Sequence, residues 1–117
     1  MIFEELDEYK RDVKKLSKRF RSLYDDLELL KKVLKICPQE QPPHSYRISE
    51  LGIDAYVVKH KWVACRSLKG RGSNTGLRVV YAYLKEDEKI VLIEIYHKAD
   101  KENEDRKRIL KHFKINK

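Results

Sequence analysis

Two cysteines, three prolines, four glycines and a single tryptophan are all that this 117-residue chain holds of the residue types that restrict a fold on their own. Cys37 and Cys65 are too few for a disulfide framework or a four-thiolate metal site, which points to the reducing environment of a cytoplasm. His44, His60, His97 and His112 could add ligands, but no CxxC, HxxxH or HExxH spacing gathers them, and no metal or other cofactor is expected. No apolar run approaches the roughly 18 residues that cross a bilayer, so no membrane partner is expected. Met1 leads into Ile2, Phe3, Glu4 and Glu5 without a basic, then apolar leader, so nothing marks export. The length admits one domain over residues 1–117 with a modest core.

Charge is what the chain has in excess. The 27 Lys and Arg outnumber the 19 Asp and Glu, giving +8 at neutral pH and pointing to a polyanionic partner. The surplus is uneven: residues 1–36 carry ten bases and eight acids, the remainder seventeen and eleven. Between Ala55 and Lys85 stand Lys59, Lys61, Arg66, Lys69, Arg71, Arg78 and Lys85 with no acid at all. A sheet would bring such separated positions to within about 5 Å of one another, close enough to hold successive phosphates.

Periodicity divides the chain. Leu6, Tyr9, Val13, Leu16, Phe20, Leu23, Leu27, Leu30 and Leu34 recur at steps of three and four, the mark of one apolar helical stripe. That stripe fits one continuous helix or a hairpin. Ser22, three residues before Asp25, resembles a capped helix start and favours helices over residues 6–18 and 22–36. Pro38, Pro42 and Pro43 then forbid continuation and make residues 37–46 a loop. Strands are expected at Ile2–Glu4, Val57–Leu68, Leu77–Leu84 and Lys89–Tyr96, and a helix at Glu102–Phe113. The polar turn Lys85–Glu88 would close the last two strands into a hairpin.

Two segments carry candidate chemistry. In Ser67–Arg78, glycines let main-chain amides approach an anion while Lys69 and Arg71 bring mobile charge, and Arg78 projects from the strand that follows. The same composition also suits a solvated hairpin loop, and it is not a Walker loop. Around Tyr96–Lys101, strict alternation places His97 with Val91, Ile93 and Ile95, and Tyr96 on the opposite face with Ile90, Leu92 and Glu94. In the hairpin Arg78 and His97 lie near the same end, where they could meet. Trp62, Tyr81, Tyr83 and Tyr96 serve either as base-stacking surfaces or as packing.

The stretches SLKGRGSNTGLRVVYAY, from Ser67 to Tyr83, and KIVLIEIYHKADKENEDRKRIL, from Lys89 to Leu110, resemble the RelE/ParE toxin superfamily of toxin–antitoxin systems. The resemblance takes in the basic loop, the Gly-x-Arg strand and the last strand running into a terminal helix. It implies an α+β fold: an N-terminal helical hairpin packed on a small antiparallel sheet, with a C-terminal helix. It also implies a type II toxin that cleaves mRNA presented by the ribosome and is restrained by a cognate antitoxin. Carried over by position, Arg78 matches the arginine on the scissile phosphate and Lys98 the basic residue after the last strand. The tyrosine that some members carry early in the terminal helix is absent from Asp100–Asp105, and His97 takes its place as the candidate acid or base.

The expected reaction is attack by an RNA 2′-hydroxyl on the adjacent phosphate with expulsion of the 5′-oxygen. His97 would move the proton, Arg78 and Lys98 would stabilise the growing charge, and Arg66, Lys69, Arg71 and Lys101 would hold the RNA backbone. The same fold also accommodates two other activities: a ParE-like inhibitor of DNA gyrase acting through the helical hairpin, and a noncatalytic RNA-binding domain.

Overall fold

The computed structural model describes residues 1–61, 63–68 and 75–113. Five strands and three helices follow one another as β1 (Ile2–Glu5), α1 (Asp7–Ser17), α2 (Leu23–Ile36), β2 (Ser45–Arg47), β3 (Tyr56–His60), β4 (Leu77–Leu84), β5 (Lys89–His97) and α3 (Arg106–Phe113). The strands form one sheet in the order β1-β5-β4-β3-β2, with β1 parallel to β5 and every other pair antiparallel. No helix among the described residues is long and apolar enough to cross a membrane.

The helical stripe becomes two helices. Tyr9, Val13 and Leu16 of α1 and Leu23, Leu27, Leu30 and Leu34 of α2 are buried on one face of the sheet, against Val79, Tyr81, Ile90, Leu92 and Ile95. The break falls at residues 18–22, where the Arg19 and Phe20 amides both return to the Leu16 carbonyl. Ser22 precedes α2 as expected but does not cap it with its side chain. Its hydroxyl donates instead to Asp26 at 2.7 Å and meets the Ser67 hydroxyl at 2.8 Å.

That same contact explains why the strand expected over Val57–Leu68 stops at His60. The Arg66 amide turns to the Asp26 carboxylate and the Ser67 amide to the Ser22 hydroxyl at 2.8 Å, so this backbone bonds to the start of α2 instead of to a ladder. Part of the expected 37–46 loop contributes β2 at the sheet edge. Its outward amides are already taken, Ser45 by the Gln41 carbonyl and Arg47 by the Glu40 carboxylate, which closes the edge to a further strand there.

On the other face Val57, Val80, Ala82, Val91, Ile93 and Tyr96 pack against Ile109 of α3. This helix begins at Arg106, four residues later than the charge pattern indicated. The Asp105 side chain caps it by accepting the Arg108 amide at 3.0 Å, while Glu104 is drawn away to the sheet.

One irregularity reassigns the faces of β5. Val80 pairs with Glu94 and Tyr81 with Leu92, leaving Ile93 as an extra residue, a bulge that breaks the two-residue period. Ile90 and Leu92 therefore share the α1/α2 face with Ile95, whereas Val91 and Ile93 join Tyr96 on the α3 face. Strict alternation had grouped these residues the other way.

Candidate nucleic-acid interface

The register of β4 and β5 decides which side chains share a face. Arg78 stands directly opposite Tyr96, and Leu77 opposite His97. Tyr96 belongs to the α3 side and Leu77 to the α1/α2 side, so Arg78 and His97 emerge on opposite faces although their backbones are neighbours. Lys61 follows β3 and lies beside Arg78, whose Nη1 donates weakly to the Lys61 carbonyl at 3.5 Å. The Lys61 ammonium sits 5.0 Å from the ring centre of Tyr46 on β2. Across the sheet, the α3 face thus lines up Tyr96, Arg78, Lys61 and Tyr46, two cations between an aromatic that is 5% exposed on β5 and one that is 40% exposed on β2.

Three other cations near this face are paired. Lys59 donates to Glu104 at 2.8 Å, Arg106 to the other oxygen of Glu104 at 3.0 Å, and Lys101 to Glu94. The Lys101 ammonium also lies 5.2 Å from the Tyr96 ring centre. Burial raises the Glu104 carboxyl, but the Lys59 and Arg106 contacts outweigh it and hold the group below its ordinary value. Arg78 and Lys61, by contrast, have no carboxylate within ion-pair distance among the described residues. Tyr96 is pushed up to about 12 by burial and by the Glu104 and Glu94 carboxylates, with Arg78 opposing the shift. Its phenol therefore stays protonated at neutral pH, and it makes no hydrogen bond to a described residue.

His97 has a different environment. Its Nδ1 accepts the Ala99 amide at 3.0 Å, which requires the hydrogen on Nε2, and Nε2 lies 3.0 Å from the Thr75 carbonyl. The ring stacks on Phe20 at 5.9 Å between centres. Both nitrogens are thus engaged by backbone, the pattern of a ring that fixes a turn. Gly76 completes the arrangement: its φ is +85°, and an added Cβ would stand 2.7 Å from His97 Nε2. Lys98 donates its amide to the Gly76 carbonyl and lines, with His97, Phe20 and Arg19, a cavity of about 260 Å³ at this end of the sheet.

Of the expected site residues, then, His97 and Lys98 stand together and Arg78 stands apart from them across the sheet. Arg66 is spent on α2, 3.2 Å from Asp25 and 3.7 Å from Asp26, and Lys101 is paired with Glu94. Lys69, Arg71 and Trp62 lie outside the described residues. Lys61 and Tyr96 were singled out by sequence only as one of seven bases and one of four aromatics, and Tyr46 was passed over. The hairpin register pairing Arg78 with Tyr96 was the signal that could have placed Tyr96 in the row. Among the described residues no three of His, Cys, Asp and Glu are gathered as a metal-binding group.

Among the described residues the architecture is of the α+β class, three α-helices with one five-stranded mixed sheet. No protein-family model matches the chain, and no curated protein matches it.

Proposed function

We propose that this protein is an RNA-cleaving toxin of the RelE/ParE kind, acting on mRNA at the ribosome. The observation that carries the reading is the row on the α3 face: Arg78 of β4 and Lys61 just after β3, with no carboxylate partner among the described residues and with a tyrosine on either side. Unpaired cations at strand spacing suit successive phosphates, and the tyrosine at the open end suits a base.

In this reading the phosphate lies on Arg78, with Lys61 holding the next one. The RNA 2′-hydroxyl gives its proton to water as its oxygen bonds to phosphorus, the bond to the 5′-oxygen breaks, and a 2′,3′-cyclic phosphate remains. Arg78 offsets the charge growing on the phosphorus oxygens. Tyr96, whose phenol burial and the Glu104 and Glu94 carboxylates push up and so keep protonated, gives its proton to the departing 5′-oxygen and regains one from water. His97 positions the Thr75–Gly76 turn from which β4, and so Arg78, departs. The partner that silences the toxin is an antitoxin whose acidic segment covers this face.

The test is cleavage of ribosome-bound mRNA in a purified translation system. Cleavage by the wild type and its loss in Arg78→Ala support the reading; equal products from both would remove it.

A second reading is favoured by α2, where Leu29, Val33 and Ile36 are 52%, 51% and 80% exposed along one stripe. Such a stripe suits a protein target, as in a DNA gyrase inhibitor. Expression that damages DNA while leaving mRNA intact would select it over cleavage.

A further inference from the structure

Residues 1–36 hold ten bases and eight acids, a nearly even sum, but the fold separates the two signs. The acids turn to cations of other elements. Glu8 meets Lys111 and His112 of α3, Asp12 meets Arg108 of α3, and Glu4 meets Lys89 of β5. Asp25 and Asp26 meet Arg66, while Glu5 and Glu28 share Lys31, a base from the same stretch. The bases left without a carboxylate gather on α1 and the turn after it. Lys10, Arg11, Lys14, Lys15, Lys18 and Arg21 are exposed, and their side chains make no ion pair or hydrogen bond among the described residues. At 3.6 residues per turn, Lys10, Lys14 and Lys18 form one row along the helix at about 6 Å spacing, with Arg11 and Lys15 in a second row beside it. The buried Tyr9, Val13 and Leu16 occupy the opposite side. Like charges four residues apart weaken a helix, and here they recur along both rows with nothing in the fold to offset them.

An extended anion laid along both rows would offset them, and the make-up of the face selects its kind. A membrane-surface helix inserts its apolar side, but that side of α1 is already packed on the sheet. A single strand is held by cations together with aromatic side chains that stack its bases. The one aromatic of α1 is Tyr9, only 2% exposed. A double helix hides its bases and offers phosphates alone, which cations without aromatics suit. The narrow major groove of A-form RNA brings the phosphates of two strands together at its mouth, where two rows on a helix about 10–12 Å across can reach both. We infer that the outer face of α1 docks double-helical RNA, with Lys10, Lys14 and Lys18 on the phosphates of one strand and Arg11 and Lys15 on those of the other. This face lies on the α1/α2 side of the sheet, away from Arg78, so the inference stands whether or not Arg78 serves cleavage.

The experiment follows binding of the full-length protein to a fluorescent RNA duplex of about 20 base pairs by anisotropy across a salt series. The triple variant Lys10→Gln, Lys14→Gln, Lys18→Gln should weaken binding by about 10-fold or more. It should also lower the slope of log K against log salt by about 2.7, three duplex phosphate contacts at about 0.9 each. Its melting temperature should equal or exceed that of the wild type, because like-charge pairs are relieved. The triple variant Lys32→Gln, Lys35→Gln, Lys85→Gln removes the same charge from other exposed positions and should change the affinity by less than about 2-fold. Arg78→Ala should bind the duplex as the wild type does, which keeps this test separate from that of cleavage. No duplex binding by the wild type, or equal losses in the two triple variants, would overturn the proposal. So would a DNA duplex of the same length binding as tightly as the RNA, or a single strand losing as much affinity as the duplex in the α1 variant. A lowered melting temperature in that variant would overturn it too, since the lysines would then serve the fold.

Discussion

Arg78 and His97 are one register step apart across β4 and β5, and their side chains leave the sheet on opposite faces. In the proposed reading a phosphate on Arg78 would have Tyr96 beside it, while the imidazole lies beneath the sheet against Phe20. The two residues should fail in different ways. Arg78→Ala should lower cleavage about 100-fold with little change in stability, because the guanidinium makes only weak carbonyl contacts at 3.3 and 3.5 Å. His97→Phe should lower the melting temperature, since it loses the Ala99 and Thr75 bonds together. Thermal melts and cleavage rates on the same preparations separate the two.

Gly76→Ala should cost about 2 kcal/mol, from a backbone at φ +85° and a Cβ driven to 2.7 Å from the His97 ring. For a domain of this size that is a melting temperature lower by roughly 8 °C. An unchanged melt would contradict the packing described for the Thr75–Gly76 turn.

The Glu104 carboxylate, 3% exposed, couples the residues before α3 to Lys59 on the sheet. Its pKa is held below 4.5 in the folded chain, so its stabilisation is complete above that pH and is lost as pH falls through the lowered folded value. Glu104→Ala should cost about 2 kcal/mol at pH 7, toward the low side for a buried pair because Lys59 retains some access to water. The difference from wild type should shrink in urea unfolding below about pH 4. A difference independent of pH would mean that the pair contributes packing alone.

Lys61→Ala tests the extent of the cationic row. Binding of a single-stranded RNA, followed by fluorescence anisotropy across a salt series, should lose about 0.7 in the slope of log K against log salt, the value of one phosphate contact. The equivalent change at Lys85, which lies in the turn at the far end of the hairpin, should leave the slope as it was.

Much of the framework was legible because it follows from period. The apolar stripe from Leu6 to Leu34 and the β-branched runs at Leu77–Leu84 and Lys89–Tyr96 each bury a continuous face, and the structure places all of them within a residue or two. What escaped is fixed by contacts far apart in sequence. β2 exists because Ser45–Arg47 finds β3 and is sealed by Glu40 and Gln41. The strand after His60 ends because Asp26 and Ser22 compete for the Arg66 and Ser67 amides. The candidate site was harder still. A single extra residue at Ile93 reverses the faces of β5, and no local pattern in KIVLIEIYH announces it.

The central claim is that the α3 face lets an RNA 2′-hydroxyl attack its own phosphate beside Arg78, and the direct measurement is the chemistry of the cut ends. The account predicts a 2′,3′-cyclic phosphate on the upstream fragment, a 5′-hydroxyl on the downstream one, and no cutting where the scissile ribose is replaced by deoxyribose. A 5′-phosphate on the downstream fragment, or undiminished cutting at the deoxyribose, would contradict it.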